Sequence, residues 1–267
     1  DVRSTMLLVE DNTELRTFLR SIFASEFRVV EAANGAEGLE KALSLVPDII
    51  ISDVMMPEKD GLQMMRELHD NMTTSHIPMV LLTAKTAIES MLEGLEYGAD
   101  DYITKPFSAT YLKARVRNIL ERRKKLQEMY REKLMNIVTS PDEPTVEESK
   151  APEMSPNDRK FMDKLMALME KNLDNGDLIV DDLVKDMAVS RSVFFKKLKS
   201  LTGLAPVEFI KEMRINRAVQ LIETGEYSMT QIAYMVGIND PRYFSKCFKQ
   251  KMGMTPTEYR DRKAGKN

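Results

Sequence analysis

The sequence contains one cysteine, Cys247, among 267 residues. A single cysteine excludes an intramolecular disulfide framework and fits a reducing compartment, so we interpret Cys247 as a small core residue. The longest apolar runs are far too short to span a bilayer, and the N-terminus lacks the basic-then-apolar pattern of a signal peptide. We therefore expect a cytoplasmic segment that makes no membrane contact.

A large net charge of one sign is also absent, because the chain carries only −3 in total. This small value hides an asymmetry between the two ends. Residues 1–128 carry 16 Lys and Arg against 21 Asp and Glu, whereas residues 158–267 carry 20 against 15. The length fits two domains of ordinary size, and the basic second half is a hint of nucleic-acid contact.

Strand-like and helix-like segments alternate through the first half of the chain. Five short apolar runs begin near Met6, Phe27, Ile49, Pro78 and Tyr102, and each precedes a segment of helical periodicity. Five such units predict an α/β fold with a parallel sheet covered by helices on both faces. Right-handed crossovers make this a doubly wound (βα)5 arrangement.

The middle of the chain changes in composition. Residues 112–137 form one long helical pattern with roughly heptad spacing, which fits either a dimerising coil or a simple amphipathic connector. Residues 139–156 contain four prolines, five acidic residues and no aromatic residue, as is typical of a flexible linker. We therefore predict a first domain at residues 1–125, a helical extension and linker at 126–156, and a second domain at 157–267.

The second domain is predicted to be all-α and contains two similar units. Residues 182–194 and 231–244 each combine a short helix, a turn of three or four residues and a second amphipathic helix. The second helices carry Lys and Arg on their outer faces, which is typical of helix-turn-helix units. Residues 207–224 form one continuous helix between them.

Chemically active side chains follow four of the five predicted strands. Glu10 and Asp11 follow the first, Asp53 the third, Thr83 the fourth and Lys105 the fifth. One strand-end Asp is more often a helix cap than a catalytic group, but the carboxyl ends of parallel strands share one edge. Gathered carboxylates repel each other unless a cation lies among them, and oxygen ligands suit Mg²⁺. Asp53 is then a plausible nucleophile that forms an aspartyl-phosphate, with the lysine and threonine near the phosphoryl oxygens.

The first half resembles the receiver domain of two-component response regulators. The matching motifs lie at residues 9–12, 52–57, 60–61, 82–84 and 98–107. The resemblance implies a flavodoxin-like fold in which Asp53 accepts a phosphoryl group from a histidine kinase. It also implies that Asp11, Asp53 and the main-chain carbonyl of Met55 hold Mg²⁺, with Glu10 acting largely through water. Many family members have Asp at the Glu10 position, and Glu should be tolerated because its role is electrostatic.

The same resemblance assigns a switch to two further residues. Thr83 is expected to move to the phosphoryl group, and Tyr102 to turn inward into the space that it leaves. Lys105 is expected to contact the phosphoryl group, and the Lys105–Pro106 bond is expected to be cis.

Residues 177–262 resemble the AraC/XylS-type DNA-binding domain. The matching motifs include residues 190–192, 201–203, 205–206, 236–237, 243–244 and 255–256. The resemblance implies that both second helices enter successive major-groove segments on one face of double-stranded DNA. The candidate contact residues lie on the outer faces of these helices: Arg191, Ser192, Phe195, Lys196, Lys199, Arg242, Ser245, Lys246 and Lys249.

Three points about this domain stay open. A solvated basic face on a helical bundle would carry the same charges without binding DNA. Ala188 stands where the family usually has Gly, so the first turn carries a steric cost. Phe195 either contacts a thymine methyl group or packs inside.

The combination predicts a phosphorylation-controlled transcription regulator that resembles the C-terminal end of Bacteroides-type hybrid two-component regulators. The expected partners are a histidine kinase, in cis or in trans, double-stranded DNA, and a second copy when phosphorylated. Because the chain starts close to its first strand without Met, we expect a piece of a longer protein, at the cytoplasmic end of an inner-membrane regulator. Neither His69 nor His76 lies in a kinase phosphoacceptor pattern, and no separate enzyme site is expected.

Two other functions are compatible with parts of this pattern. A haloacid-dehalogenase-like phosphatase also uses a strand-end Asp with Mg²⁺, but it needs a second Asp where Met55 stands. A DNA-binding scaffold that never turns over phosphate is the second alternative.

Overall fold

The computed structural model describes residues 3–84, 100–136 and 154–265. The chain divides into two compact units, one of residues 1–126 with 154–159 and the other of residues 127–153 with 160–267. The helix predicted around Met91, Leu92 and Leu95 lies outside the described residues. None of the helices in the described ranges is long and apolar enough to cross a membrane.

A parallel sheet of five strands, in the order β2-β1-β3-β4-β5, forms the centre of the first unit. The strands are β1 (Thr5–Val9), β2 (Arg28–Ala32), β3 (Ile49–Asp53), β4 (Met79–Ala84) and β5 (Asp101–Lys105). Every residue of β3 is buried, because its branched apolar side chains are covered on both faces. The predicted α/β fold with a parallel sheet is confirmed.

Four described helices lie wholly or mainly in this unit: α1 (Thr13–Phe23), α2 (Gly35–Leu45), α3 (Gly61–Asp70) and α4 (Ala109–Asn136). Asn12, Asn34 and Asp60 cap the first three through their side chains, which accept hydrogen bonds from main-chain N–H groups of the first turn. The helix α4 is 28 residues long, and its early apolar residues Leu112, Val116 and Ile119 lie in the core beside the sheet.

The described part of the second unit is helical. Its helices are α5 (Pro156–Asn172), α6 (Val180–Met187), α7 (Arg191–Thr202), α8 (Pro206–Thr224), α9 (Met229–Met235), α10 (Pro241–Met252) and α11 (Pro256–Lys263). The first residues of α5 cluster with the first unit, as the division above states. The pairs α6–α7 and α9–α10 are the two predicted helix-turn-helix units, and α8 is the continuous helix between them.

The turns of the two units use left-handed backbone at one position each. Ala188, between α6 and α7, has φ 58° and ψ 40°, and Gly237, between α9 and α10, has φ 73°. A left-handed Ala costs about 1–2 kcal/mol relative to a helical one because its Cβ approaches the following carbonyl. The predicted steric cost of Ala188 is therefore present, and the turn nevertheless forms.

The apolar stripes of α7 and α10 face the core as expected. Phe194, Leu198, Phe244 and Phe248 have no exposed surface, and Leu201 is almost fully covered. Cys247 is also buried, which confirms that it is a core residue.

Candidate functional sites

Three carboxylates converge at the carboxyl edge of the sheet. Glu10 and Asp11 follow β1, and Asp53 ends β3, its neighbour in the sheet. Each offers one carboxylate oxygen, and these oxygens lie within 4.8 Å of one another. Glu10 and Asp53 are buried whereas Asp11 is exposed, so the cluster is closed on one side and open to solvent on the other.

Lys105 at the end of β5 reaches into this cluster. Its Nζ atom lies 2.7 Å from Asp53 Oδ2 and 3.1 Å from Glu10 Oε2, so the ammonium group donates to both carboxylates. Burial alone would lower the pKa of Lys105, but the hydrogen bonds and negative charges of Asp53 and Glu10 outweigh it and raise the pKa. The amine therefore stays positively charged at neutral pH. The peptide bond from Lys105 to Pro106 is cis, as expected.

The carboxyl group of Glu10 has a raised pKa in this cluster. Its side chain is only 1% exposed. Burial raises the pKa of Glu10 first, and the nearby charge of Asp53 raises it further, although Lys105 and the main-chain N–H of Asn12 act in the opposite direction. The combined effect of burial and Asp53 on this pKa thus exceeds that of Lys105 and the Asn12 N–H. The donor set is all oxygen and partly open, which fits a small hard divalent cation.

The loop after β3 is packed so tightly that Asp53 is held in place. The hydroxyl of Ser52 donates to the main-chain oxygen of Asp53 at 2.8 Å, and the N–H of Gly61 donates to the carbonyl of Val54 at 2.9 Å. A Cβ atom on Gly61 would lie 2.1 Å from the main-chain oxygen of Asp53, so only glycine fits. The side chain of Met55 is 69% exposed beside the cluster.

The two expected switch residues lie on neighbouring strands. Thr83 is buried near the end of β4, and its hydroxyl donates to the carbonyl of Ala84 at 3.3 Å. Tyr102, on β5, has a buried hydroxyl group that has no hydrogen-bond partner among the described residues. Burial raises the pKa of Tyr102 to about 12, so the phenol stays neutral. The movement of this pair stays a prediction.

Sequence reasoning missed a residue that supports the acidic loop. Arg16 of α1 donates from Nη1 to the main-chain carbonyl of Glu10 at 2.6 Å. The guanidinium group thereby fixes the backbone between Glu10 and Asp11 without contacting their carboxylates. A contact to a main-chain carbonyl leaves no pattern in the sequence, so no signal pointed to it.

The first set of candidate DNA contacts lies at the surface of α7. Arg191, Ser192, Lys196 and Lys199 are exposed. Phe195 is half-buried: its ring packs edge-on against Phe194, and the Arg191 guanidinium lies 4.8 Å above the ring centre. Phe195 thus packs partly inside, and its contact with a thymine methyl group stays a prediction.

The second set lies on α10. Arg242, Lys246 and Lys249 are exposed, and Ser245 is half-buried. Asp240 caps the helix by accepting a hydrogen bond from the N–H of Arg242 at 2.8 Å. The cations of both sets thus lie on the surface of the second unit.

A cavity of about 510 Å³ opens between the starts of these two helices. Arg191 and Tyr243 line it from α7 and α10, and Lys211 and Arg214 line it from α8. Arg214 donates from Nη2 to the carbonyl of Asn175 at 2.7 Å, and burial lowers its pKa. The sequence did not identify Lys211, Arg214 or Tyr243 as candidate contacts. Its pattern predicts α8 only as a packing helix, and Tyr243 stands out only as part of a motif.

Two protein families match the chain. Residues 6–117 match the response regulator receiver domain, and residues 183–262 match a helix-turn-helix domain. The receiver match covers the strands that carry the acidic cluster, and the second match covers both helix-turn-helix units.

Similar proteins come from two-component signalling. Histidine kinase P4 of Formosa agariphila is 38% identical over 260 residues, which cover 97% of this chain and 18% of that protein. Response regulator ArlR of Staphylococcus aureus is 42% identical over 118 residues, which cover 44% of this chain and 52% of that protein. The crystal structure of a signal receiver domain of a signal transduction histidine kinase from Syntrophus aciditrophicus is 37% identical, covers 44% of this chain and 90% of that chain, and has a TM-score of 0.41.

The chain therefore spans a small part of the first of these relatives and about half of the second. Its two matched regions account for the fold of the first unit and for the helix pairs of the second. The chain therefore joins a receiver domain of the response regulator family to a helix-turn-helix domain of the AraC type.

Proposed function

We propose that Asp53 accepts a phosphoryl group from a histidine kinase and that this modification controls DNA binding by residues 157–267. The observation that carries the proposal is the position of Asp53 Oδ2, 2.7 Å from the Lys105 ammonium group and next to two further carboxylates. In this proposal residues 1–125 form the receiver domain, and residues 126–156 connect it to the DNA-binding domain. A carboxylate whose negative charge is held beside a cation site and a lysine is suited to receive phosphate.

The transfer is a simple exchange of bonds. A carboxylate oxygen of Asp53 attacks the phosphorus of a phosphohistidine, the new P–O bond forms, and the P–N bond breaks. The electron pair of the broken bond stays on the imidazole, which leaves with the kinase. Lys105 balances negative charge on the phosphoryl oxygens, and the hydroxyl of Thr83 donates a hydrogen bond to one of them.

Mg²⁺ is the cofactor that fits this site. We assign Asp11, Asp53 and the main-chain carbonyl of Met55 as its ligands, with Glu10 acting mainly through water. When bound, the ion neutralises charge that develops on the transferred group. The three carboxylate oxygens of Glu10, Asp11 and Asp53, which lie within 4.8 Å of one another, support this assignment.

A phosphatase of the haloacid-dehalogenase type is not favoured. That chemistry needs a second carboxylate two residues after the nucleophile, and Met55 occupies this position. An exposed thioether at that point supplies neither an acid nor a base, so the phosphoryl group on Asp53 is expected to be a signal.

The phosphoacceptor is tested by intact-mass measurement after incubation with acetyl phosphate and Mg²⁺. We expect one added phosphoryl group on the wild-type chain and none on Asp53→Asn, while Asp70→Asn, which changes an exposed carboxylate, should behave as wild type. Removal of Mg²⁺ by a chelator should prevent the addition. An unmodified wild-type chain, or a modified Asp53→Asn variant, would refute the mechanism and favour the phosphate-independent scaffold.

For the second unit we propose that α7 and α10 enter successive major-groove segments of double-stranded DNA. The exposed cations Arg191, Lys196, Lys199, Arg242, Lys246 and Lys249 contact phosphates or base edges, and Ser192, Phe195 and Ser245 lie between them. Their positions on two helices of the same unit support this assignment. A +5 net charge over residues 158–267 favours the same partner.

This contact is tested on α10. The double variant Arg242→Ala, Lys246→Ala should bind duplex DNA more weakly, and the slope of log affinity against log salt should flatten by up to about 2 if both residues contact phosphates. The matched control, Lys164→Ala with Lys171→Ala, removes two exposed cations of α5 and should leave both quantities unchanged. Equal binding by the α10 variant and wild type would contradict the placement.

The other partners follow from the same family. We propose that the kinase is part of the same polypeptide, as the likeness to Histidine kinase P4 over 97% of this chain suggests, and that the segment lies on the cytoplasmic side of the inner membrane. We also propose that phosphorylation produces a homodimer. Sedimentation of the chain with and without acetyl phosphate measures this directly, and an unchanged mass would refute dimerisation.

A further inference from the structure

The last part of α4 contacts the carboxyl end of α7. Helices α7 and α10, which are proposed above to enter the major groove, are called the two recognition helices below. Residues 127–136 belong to the second unit, although α4 starts in the first. Gln127 donates from Nε2 to the main-chain carbonyl of Ser200 at 2.6 Å and to that of Lys199 at 3.4 Å. The last carbonyl groups of a helix lack partners within the helix, so Gln127 supplies a donor to the carbonyl of Ser200 at the carboxyl end of α7. The carbonyl of Lys199 already accepts a hydrogen bond from the N–H of Gly203 at 2.8 Å.

One turn further along α4, a second contact is made with α8, and the same acidic side chain also pairs with α10. Arg131 donates from Nη2 to Glu212 Oε1 of α8 at 2.5 Å, with Nε 3.4 Å from Oε2. Lys251 near the end of α10 lies 3.0 Å from the same carboxylate. The side chains of Glu212 and Lys251 are only 15% and 18% exposed, so the shared carboxylate sits in a partly buried network.

An ordinary surface ion pair would not deserve a functional interpretation, because such pairs contribute about 0–1 kcal/mol. Here Gln127 and Arg131 are four residues apart on one face of α4, and they contact two different helices, α7 and α8. Gln127 holds α7 directly, and Arg131 holds α8 and, through Glu212, α10. The pattern links both recognition helices to a single rigid element.

We propose that Gln127 and Arg131 form a brace that fixes α7 and α10 relative to each other, and that the phosphorylation state of the receiver sets whether the brace is docked. This inference rests on the proposed function and adds its regulation. The helix α4 is unbroken from Ala109 to Asn136, and its start is packed in the receiver core, so a change there is transmitted along the helix. Two recognition helices must keep a fixed spacing to read segments about 34 Å apart, so the docked brace is the DNA-competent state.

The brace is tested with three full-length variants. Arg131→Glu places a negative charge against Glu212 and should undock α4, Arg131→Lys keeps the positive charge and should retain docking, and Lys125→Glu makes the same charge change at an exposed α4 residue outside the network. Folding of each variant is checked by its thermal unfolding curve. The DNA probes are a duplex enriched from a random pool by the wild-type chain and the same duplex with one of its two segments scrambled.

We expect Arg131→Glu to bind the intact duplex about fivefold more weakly than wild type and the half-scrambled duplex within about twofold, since a lost brace affects only binding by both helices. Arg131→Lys and Lys125→Glu should resemble wild type on both probes. Unchanged binding of the intact duplex by Arg131→Glu, or an equal loss on both duplexes, would overturn the brace.

Hydrogen exchange separates this inference from the proposed function. Beryllium fluoride with Mg²⁺ mimics the phosphoryl group and should change the exchange of residues 127–136 and of the carboxyl ends of α7 and α10. If peptides around Asp53 respond while these segments do not, the brace is refuted and the phosphoacceptor stands. If peptides around Asp53 do not respond, or respond equally in Asp53→Asn, the phosphoacceptor fails, and with it the phosphorylation control proposed for the brace.

Discussion

Replacing Lys105 by Met removes the ammonium group that lies between two buried carboxylates. The lysine donates to Asp53 at 2.7 Å and to Glu10 at 3.1 Å. A hydrogen bond between charged groups contributes about 1.5–3 kcal/mol, but the Lys105 side chain is 27% exposed, so water replaces part of each bond. We expect the free energy of unfolding of the first unit to fall by about 2–3 kcal/mol without Mg²⁺.

The loss should depend on pH. Burial and Asp53 raise the pKa of Glu10, whereas Lys105 lowers it, so the variant should raise that pKa further. An acid whose pKa is raised by folding binds its proton more tightly in the folded state. Its contribution to stability therefore decreases as the pH rises from the pKa of the unfolded chain to that of the folded protein. The penalty of the variant should therefore be larger at about pH 7.5 than at about pH 5, and Mg²⁺ should reduce it.

The measurement is hydrogen exchange of the β1 and β3 amides, which reports the opening of the first unit alone. Lys59→Met is the matched control, because it removes a lysine whose ion pair with Glu67 is more exposed. That control should cost no more than about 1 kcal/mol. A Lys105→Met penalty no greater than the control, or one that is equal at both pH values, would refute the electrostatic account of the site.

Three further predictions concern single positions. Gly61→Ala places a Cβ atom 2.1 Å from the main-chain oxygen of Asp53, so we expect about 1–3 kcal/mol of destabilisation by hydrogen exchange and slower uptake of phosphate from acetyl phosphate by mass. In wild type the apparent Mg²⁺ affinity should decrease from about pH 7.5 to about pH 5.5, because protons compete with the ion for the Glu10 carboxyl group, whose pKa is raised. Calorimetric titration should show a smaller decrease in the Glu10→Gln variant, and an equal decrease would contradict this prediction. Ala188→Gly should raise the free energy of unfolding by about 0.5–1 kcal/mol, because relief of the left-handed strain exceeds the added entropy of the unfolded chain. Its reverse control, Gly225→Ala, has φ 72° with open space around the new Cβ and should lower that free energy by about 1 kcal/mol in urea unfolding.

The sheet and the convergence of the acidic cluster could be predicted from the sequence. Short branched runs such as Ile49–Asp53 identify buried strands, and parallel strands bring their carboxyl ends to one edge whatever the loops do. The order of the predicted strands and helices therefore suffices to place Glu10, Asp53 and Lys105 at the same edge of the sheet. The double hydrogen bond of Lys105 does not, because it depends on the side-chain conformation of a long flexible residue.

Other features could not be predicted, since their partners are distant in sequence. Arg131 and Glu212 are 81 residues apart, and neither lies in a periodic pattern that marks the other. Element ends were also less accurate than element positions. The Asn175-Gly176 pair in the sequence predicts a helix end at that point, but α5 ends at Asn172. The carbonyl of Asn172 accepts a hydrogen bond from the N–H of Asn175 in the following turn.

The order of the strands along the chain has a consequence for folding during synthesis. Glu10, Asp53 and Lys105 come from β1, β3 and β5, and Lys105 is 95 residues away from Glu10 along the chain. A chain emerging from the ribosome cannot bring these three side chains together until its last strand has joined the sheet. With Asp53 as the phosphoacceptor proposed above, a partly folded chain is therefore expected not to accept the phosphoryl group.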